Sequence, residues 1–372
     1  NSDRITYTDF TFSAPKSLSV AMAFARTDAD WSILARAHRD AWQDTMGHVE
    51  SIVGHARKGK GGSKGRVEGK IGWLSFDHYT SRPTVEVAML DENGRPATVI
   101  QTNNAAPGDM QTHTHVAVPN VVVCEDGTVG ALDLLALHDR VHEAGAYYQA
   151  RLATRLREAN IDVELDEKTG TARLTAIPDE IVDLFSKRTK GGEESARAYA
   201  KESGLDWDAL DPEQKIAFLK GGAKATRIGK GDDMSDLEAW RKQAEQAGYS
   251  HRSVIKEPTP EPMKDPAADE PFFEPAEKAE IEKDETDQER LQKAYDAALP
   301  FVEQELDRRA VLSESVLRVA ATRGLIVTGT HTTEDIDTVV NLMCEKGVRQ
   351  NGEHTTLLVR ELEGDSEAEN LS

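Results

Sequence analysis

The stretch Gly108-Asp-Met-Gln-Thr-His-Thr-His-Val-Ala-Val-Pro-Asn120, running on into Val121-Val-Val123, constrains this chain more than any other. β-branched residues dominate it, and the two-residue period of a strand puts His113 and His115 on one face. Two imidazoles side by side on a strand are half of a metal site. Many such pairs bind nothing, and a catalytic ion needs at least one more ligand. The best third ligand is His78, at the end of the strand-like run Ile71-Gly-Trp-Leu-Ser-Phe-Asp-His78, with Gln101 as its rival.

Other segments supply context. Thr11-Phe-Ser-Ala-Pro-Lys-Ser-Leu-Ser-Val20, Phe76-Asp-His-Tyr-Thr-Ser-Arg82 and Gly108-Asp-Met-Gln-Thr-His-Thr-His115 together resemble the relaxase domain of the MobF family, the DNA strand transferases of conjugative plasmids. The resemblance continues through Ala146-Tyr-Tyr-Gln-Ala-Arg-Leu152 and Phe185-Ser-Lys-Arg188 into Ala225-Thr-Arg-Ile-Gly-Lys230, and so covers about residues 5 to 250. It implies an α+β, two-layer fold of the HUH endonuclease type, with a central five-stranded antiparallel sheet flanked by helices. It implies a transesterase that nicks and rejoins one DNA strand at a transfer origin through a 5′-phosphotyrosine. His78, His113 and His115 would hold a divalent metal ion, and Asp9 would be the acid beside them.

Histidine ligands take zinc, nickel or copper more tightly than manganese or magnesium, so availability and not ligand type sets the working ion; magnesium or manganese is expected, with zinc or nickel as alternatives. The family's nucleophilic tyrosine lies upstream of the segment that Asp9-Phe-Thr-Phe-Ser-Ala-Pro-Lys-Ser resembles, and no residue here matches its position. Tyr7, on the strand face of Asp9, is the one substitute in sight. The partners implied are single-stranded DNA with a transfer-origin hairpin, relaxosome proteins and a type IV secretion coupling protein. The implied setting is the bacterial cytoplasm, with passage into the recipient alongside the DNA.

A net charge of -21 at pH 7 speaks against a phosphate-binding partner until its distribution is considered. Residues 1–250 hold 31 basic and 38 acidic side chains, and residues 251–372 hold 14 and 28, so the acidity is concentrated behind the candidate catalytic part. Within that part, Arg57, Lys58, Lys60, Lys64, Arg66 and Lys70 crowd a glycine-rich loop. Lys58, Lys60, Lys64, Arg66, Arg82, Lys187, Arg188 and Arg227 are the candidate DNA contacts. Cys124 and Cys344 are too far apart in sequence to suggest a disulfide framework or a cysteine metal site.

Along the chain, a strand over Ile5–Phe12 leads to a short helix from Ser17 or Ser19. A core helix follows from Trp31 to Val53, with His38, His48 and His55 read as surface residues. A hairpin is expected over Thr84–Leu90 and Arg95–Ile100 across Asp91-Glu-Asn-Gly94. Pro119 should close the His-bearing strand, and a long helix should run from Leu134 to Asn160. His138 and His142 on it read as a polar face. A hairpin over Val163–Leu165 and Ala172–Leu174 precedes helices around Glu180–Ser186, Glu194–Ser203 and Pro212–Leu219. The domain reading is a relaxase unit over residues 1–250, an acidic proline-rich linker over 251–288, and a small helical, winged-helix-like segment over 289–372. The last resembles the start of a MobF helicase region, but the chain has no Gly-x-x-x-x-Gly-Lys-Ser/Thr motif. Two alternatives stay open: a non-catalytic DNA-binding or coupling fragment, and a rolling-circle replication initiator.

Overall fold

A computed structural model describes residues 5–57, 65–80, 85–90, 96–101, 108–138, 140–186, 197, 201, 206–210, 236–256, 276–309, 311–350 and 353–355. The His-bearing segment forms a long strand, β7 (Met110–Pro119), with β1 (Tyr7–Ser13) and β4 (Leu74–Thr80) antiparallel on either side. Alternation along β7 is complete. Thr112, Thr114, Val116 and Val118 are buried, while Gln111, His113, His115 and Ala117 are half-buried on the opposite face. A strand patterned this way has one core side and one working side.

The core side is covered by α1 (Lys16–Ala23) and α2 (Asp28–Val53). Thr27 caps α2 by accepting the Asp30 amide at 3.1 Å, and Asp28 and Asp30 in the first turn complement the positive end of the helix. Leu34, Ala37, Ala41, Trp42, Met46 and Val49 give α2 a buried stripe at helical spacing.

Beyond β7 the chain does not extend the same sheet. Pro119 has no amide to donate and ends the strand, and after Asn120 the chain starts a new ladder. There β8 (Val122–Cys124) and β9 (Val129–Gly130) join β2 (His55–Arg57) and β3 (Arg66–Lys70) in a four-stranded sheet of order β2-β3-β8-β9. The expected single five-stranded sheet is thus corrected: among the described residues β7 sits in a three-stranded sheet. The α+β class holds. The expected hairpin is present as β5 (Val85–Leu90) against β6 (Pro96–Gln101), with Val87 opposite Val99.

The long helix expected from Leu134 is two helices, α3 (Leu134–His138) and α4 (Val141–Glu158). Next come a hairpin of β10 (Val163–Asp166) and β11 (Thr171–Leu174), α5 (Asp179–Leu184) and α6 (Asp236–Gln246). The last described elements are α7 (Ala276–Leu306), α8 (Glu314–Thr328), α9 (Glu334–Lys346) and a hairpin of β12 (Val348–Gln350) and β13 (Glu353–Thr355). Helix α7 therefore begins inside the stretch read as linker through Gln288. The expected helices over Glu194–Ser203 and Pro212–Leu219 lie outside the described residues, apart from isolated positions.

Helix α4 joins the two halves. Ala144, Tyr148, Leu152 and Leu156 enter the core beneath the sheet, while Tyr147, Ala150 and Ala153 enter a second core with α7, α8 and α9. A helix apolar on both sides needs cover on both sides. The cover on the second side is tight: a Cβ added to Gly324 would lie 2.0 Å from the carbonyl oxygen of Ala294, so α8 and α7 approach backbone to backbone. Among the described residues no helix is long and apolar enough to cross a membrane.

Candidate metal centre

Register brings the three expected ligands together. His78 on β4 lies directly opposite His113 on β7, and His115 lies opposite Phe76 on β4 and Thr11 on β1. The ring centroids of His78 and His113 are 5.2 Å apart, those of His78 and His115 5.4 Å, and those of His113 and His115 5.3 Å. A ring nitrogen about 2.1 Å from a cation puts its centroid ~3.2 Å away, so rings at a tetrahedral angle stand about 5.2 Å apart. The triad has that spacing on all three sides.

Hydrogen bonds fix two of the rings. His113 Nδ1 donates to the Gln111 carbonyl at 2.8 Å, and His115 Nδ1 donates to Asp9 Oδ2 at 2.7 Å with Thr11 Oγ1 at 3.1 Å. Both bonds place the proton on Nδ1 and leave the Nε2 lone pair for a ligand. His113 is held below the ordinary histidine range, first by burial and then by the His115 and His78 rings beside it, against the opposing Gln111 hydrogen bond. A neutral ring is the form that binds metal. Among the described residues no group of three or more His, Cys, Asp or Glu side chains stands, as placed, close enough together to hold a metal ion. The case for a cation rests on the ring spacing and the fixed tautomers.

Asp9 stands where the sequence put it, partly exposed beside His115. Tyr7 does not reach the triad. It pairs with Pro119 while Thr11 pairs with His115, and four residues of strand at about 3.3 Å each separate the two positions by ~13 Å. The rival Gln101 ends β6. Of the candidate DNA contacts, only Arg66 lies among the described residues, on β3 with Nη2 2.9 Å from the buried Asp133. Lys58, Lys60, Lys64, Arg82, Lys187, Arg188 and Arg227 lie outside them.

Two histidines read as surface residues are core residues. His38 and His48 are 4% and 6% exposed, because α2 is covered by the sheet on one side and by α4 on the other. His38 falls within the stripe that includes Leu34 and Trp42, so its burial was legible. What it touches was not. Its Nδ1 is 2.7 Å from the Tyr148 hydroxyl and its Nε2 2.9 Å from Thr114 Oγ1. His48 Nε2 instead meets the fully buried Glu143 at 3.0 Å.

The family model described as TrwC relaxase matches residues 2–247. The chain belongs to the TrwC relaxase family. The expected MobF-type relaxase domain is borne out, and with it the enzyme class, a DNA-nicking transesterase. The non-catalytic fragment and the replication initiator are not favoured.

Solved structures similar to this relaxase include a metal-bound conjugative relaxase TrwC in complex with oriT DNA, 26% identical over 66% of this chain and 73% of that one, with a TM-score of 0.46. A copper-bound TrwC–oriT complex is 26% identical over 66% and 72%, with a TM-score of 0.47. TrwC with a 27-mer comprising the recognition hairpin and cleavage site is 26% identical over 66% and 75%, with a TM-score of 0.46. No curated protein matches the chain.

Proposed function

We propose that this relaxase nicks and rejoins one strand at a plasmid transfer origin, with a divalent cation held by His78, His113 and His115. The observation that carries this reading is the set of three rings 5.2–5.4 Å apart, two of them with Nδ1 committed and Nε2 left as a donor. Three neutral imidazoles add no negative charge, so a bound cation would supply Lewis acidity to the non-bridging oxygens of the scissile phosphate.

The chain's own residues do the rest of the positioning. Asp9 accepts a hydrogen bond from His115 Nδ1–H and fixes that ring's orientation. In the transesterification a tyrosine oxygen forms a bond to phosphorus and the bond from phosphorus to the 3′ oxygen breaks. That oxygen leaves as the 3′ hydroxyl, and rejoining is the reverse. Lys58, Lys60, Lys64, Arg82, Lys187, Arg188 and Arg227 are candidates for phosphate contacts, and relaxosome and secretion coupling proteins for further partners.

The test is intact mass of the full-length protein mixed with Mn²⁺ and single-stranded oligonucleotides tiled across its own mobile element. A covalent adduct that fails to form in EDTA, and with His113→Ala, is expected. An adduct formed equally by His113→Ala would overturn the metal assignment.

A further inference from the structure

The side of the sheet behind the triad carries a directed hydrogen-bond chain that the proposed chemistry does not use. Thr114 lies between His113 and His115 but points the other way, into the core, where it is fully buried. Its hydroxyl donates to Asp77 Oδ1 at 2.7 Å, across the register pair next to His78–His113. With its one proton spent, Thr114 can only accept from His38, so the His38 proton is on Nε2 (2.9 Å) and Nδ1 accepts from the Tyr148 hydroxyl (2.7 Å). Every donor in the chain Tyr148–His38–Thr114–Asp77 has an acceptor, and its direction is forced.

Its location gives it a task. Pairing between β4 and β7 is regular up to His78 and His113, then shifts register between His78 and Thr80. An irregularity beside a ligand interrupts the ladder and re-aims the side chains next to it, so ladder hydrogen bonds alone do not set the position of His78. A side-chain tie between the two ligand-bearing strands, Asp77–Thr114, stands at the register pair next to His78–His113. That tie is anchored through His38 to α2 and through Tyr148 to α4, both core helices.

We propose that His38 and Thr114 are positioning residues of the metal centre, setting the distance of His78 from His113 and His115 from the buried side of the sheet. This inference rests on the metal reading above. It calls for no contact between His38 and the ion.

The test is titration of the full chain with Co²⁺ alone, followed by the visible absorption of the bound ion, for the parent, Thr114→Val, Thr114→Ser, His38→Gln and His113→Ala. Thermal unfolding in EDTA is measured in parallel. Thr114→Val keeps the shape and removes both hydrogen bonds, and should weaken Co²⁺ binding about tenfold and change the absorption envelope of the ion that does bind. Thr114→Ser restores the hydroxyl and should restore both. Gln can offer one donor and one acceptor, so His38→Gln should fall between them. Parent-like affinity and spectrum in Thr114→Val, with binding lost in His113→Ala, would overturn this inference and leave the metal reading standing. A parent that binds no Co²⁺ would overturn both.

Discussion

His38 and His48 both stand on the buried side of α2 and both reach α4, yet they belong to opposite kinds of polar core. His38 sits in a relay of single hydrogen bonds in which the imidazole is neutral, burial having pushed its pKa down to about 4. His48 meets a carboxylate surrounded by cations. Glu143 receives His48 at 3.0 Å, Arg140 at 2.8 and 3.0 Å, and Arg318 at 2.9 and 3.1 Å. Burial alone would raise that carboxyl, but the bonds from His48, Arg140 and Arg318 overcome it and hold it well below the ordinary carboxylate range.

The first cluster lies under the metal ligands. The second lies where α8 docks on α4, and Arg318 carries it on to Asp337 of α9. A directional chain through a neutral imidazole suits a site that needs one geometry. A charged hub suits a junction that must not come apart, because losing one partner strands the others.

The largest effect should come from the hub. Glu143→Ala removes the buried carboxylate shared by Arg318, Arg140 and His48, leaving Arg318 to Asp337 and Glu314, and should cost about 3–5 kcal/mol in urea unfolding. Hydrogen exchange should then open α8 before β7. A cost below about 1 kcal/mol would mean that the C-terminal helices do not depend on this contact.

Acid separates the two clusters. The folded chain holds His38 at about 4 against 6.5 for a free histidine, so the unfolded chain takes up that proton first. The contribution is fully present above pH 6.5 and is lost as pH falls toward 4, up to about 3 kcal/mol at 1.36 per unit. Asp77 works against the lowered pKa, while His113 and Arg39 add to it. Glu143, also depressed, loses its contribution only as pH falls below the ordinary carboxylate value. Stability measured between pH 6.5 and 5 should slope in the parent and flatten in His38→Gln. An unchanged slope would place the proton uptake on another group.

A smaller change is expected at Asp9. Asn in its place can still accept a hydrogen bond but carries no charge, and Co²⁺ binding should weaken about tenfold with little change in the urea midpoint. The reverse pattern, lost stability with intact binding, would make Asp9 a structural residue of β1. The smallest effect should come from Arg66, already engaged with Asp133. Arg66→Ala should leave the salt dependence of DNA binding nearly unchanged. Removing Lys60 should lower the slope by about one unit if that side chain meets a phosphate.

Much of this arrangement was legible in the sequence. The period-two run around His113 and His115 and the third histidine at a strand end depend on local pattern, which survives folding, whereas Asp9 stands out only through the family resemblance of Asp9-Phe-Thr-Phe-Ser-Ala-Pro-Lys-Ser. The split of the sheets turned on one residue, Pro119, whose ability to end a strand was visible although the destination of the next strand was not. The apolar stripe of α2 marks His38 as buried, but it does not name the polar partners that let His38 and His48 sit in the core. Those partners, Thr114, Tyr148 and Glu143, are remote in sequence. The docking of α8 on α4 was hidden for the same reason, since the two-sided burial of α4 follows from a helix far downstream.

The most direct test of the central claim is the stoichiometry of Co²⁺ binding to the full chain and to His78→Ala, His113→Ala and His115→Ala, each verified as folded by circular dichroism. One ion per chain is expected, with affinity reduced by about a hundredfold or more by each of the three substitutions. Parent-like binding by His78→Ala would contradict it, because the ion would then be held by a set of ligands that does not include the strand β4.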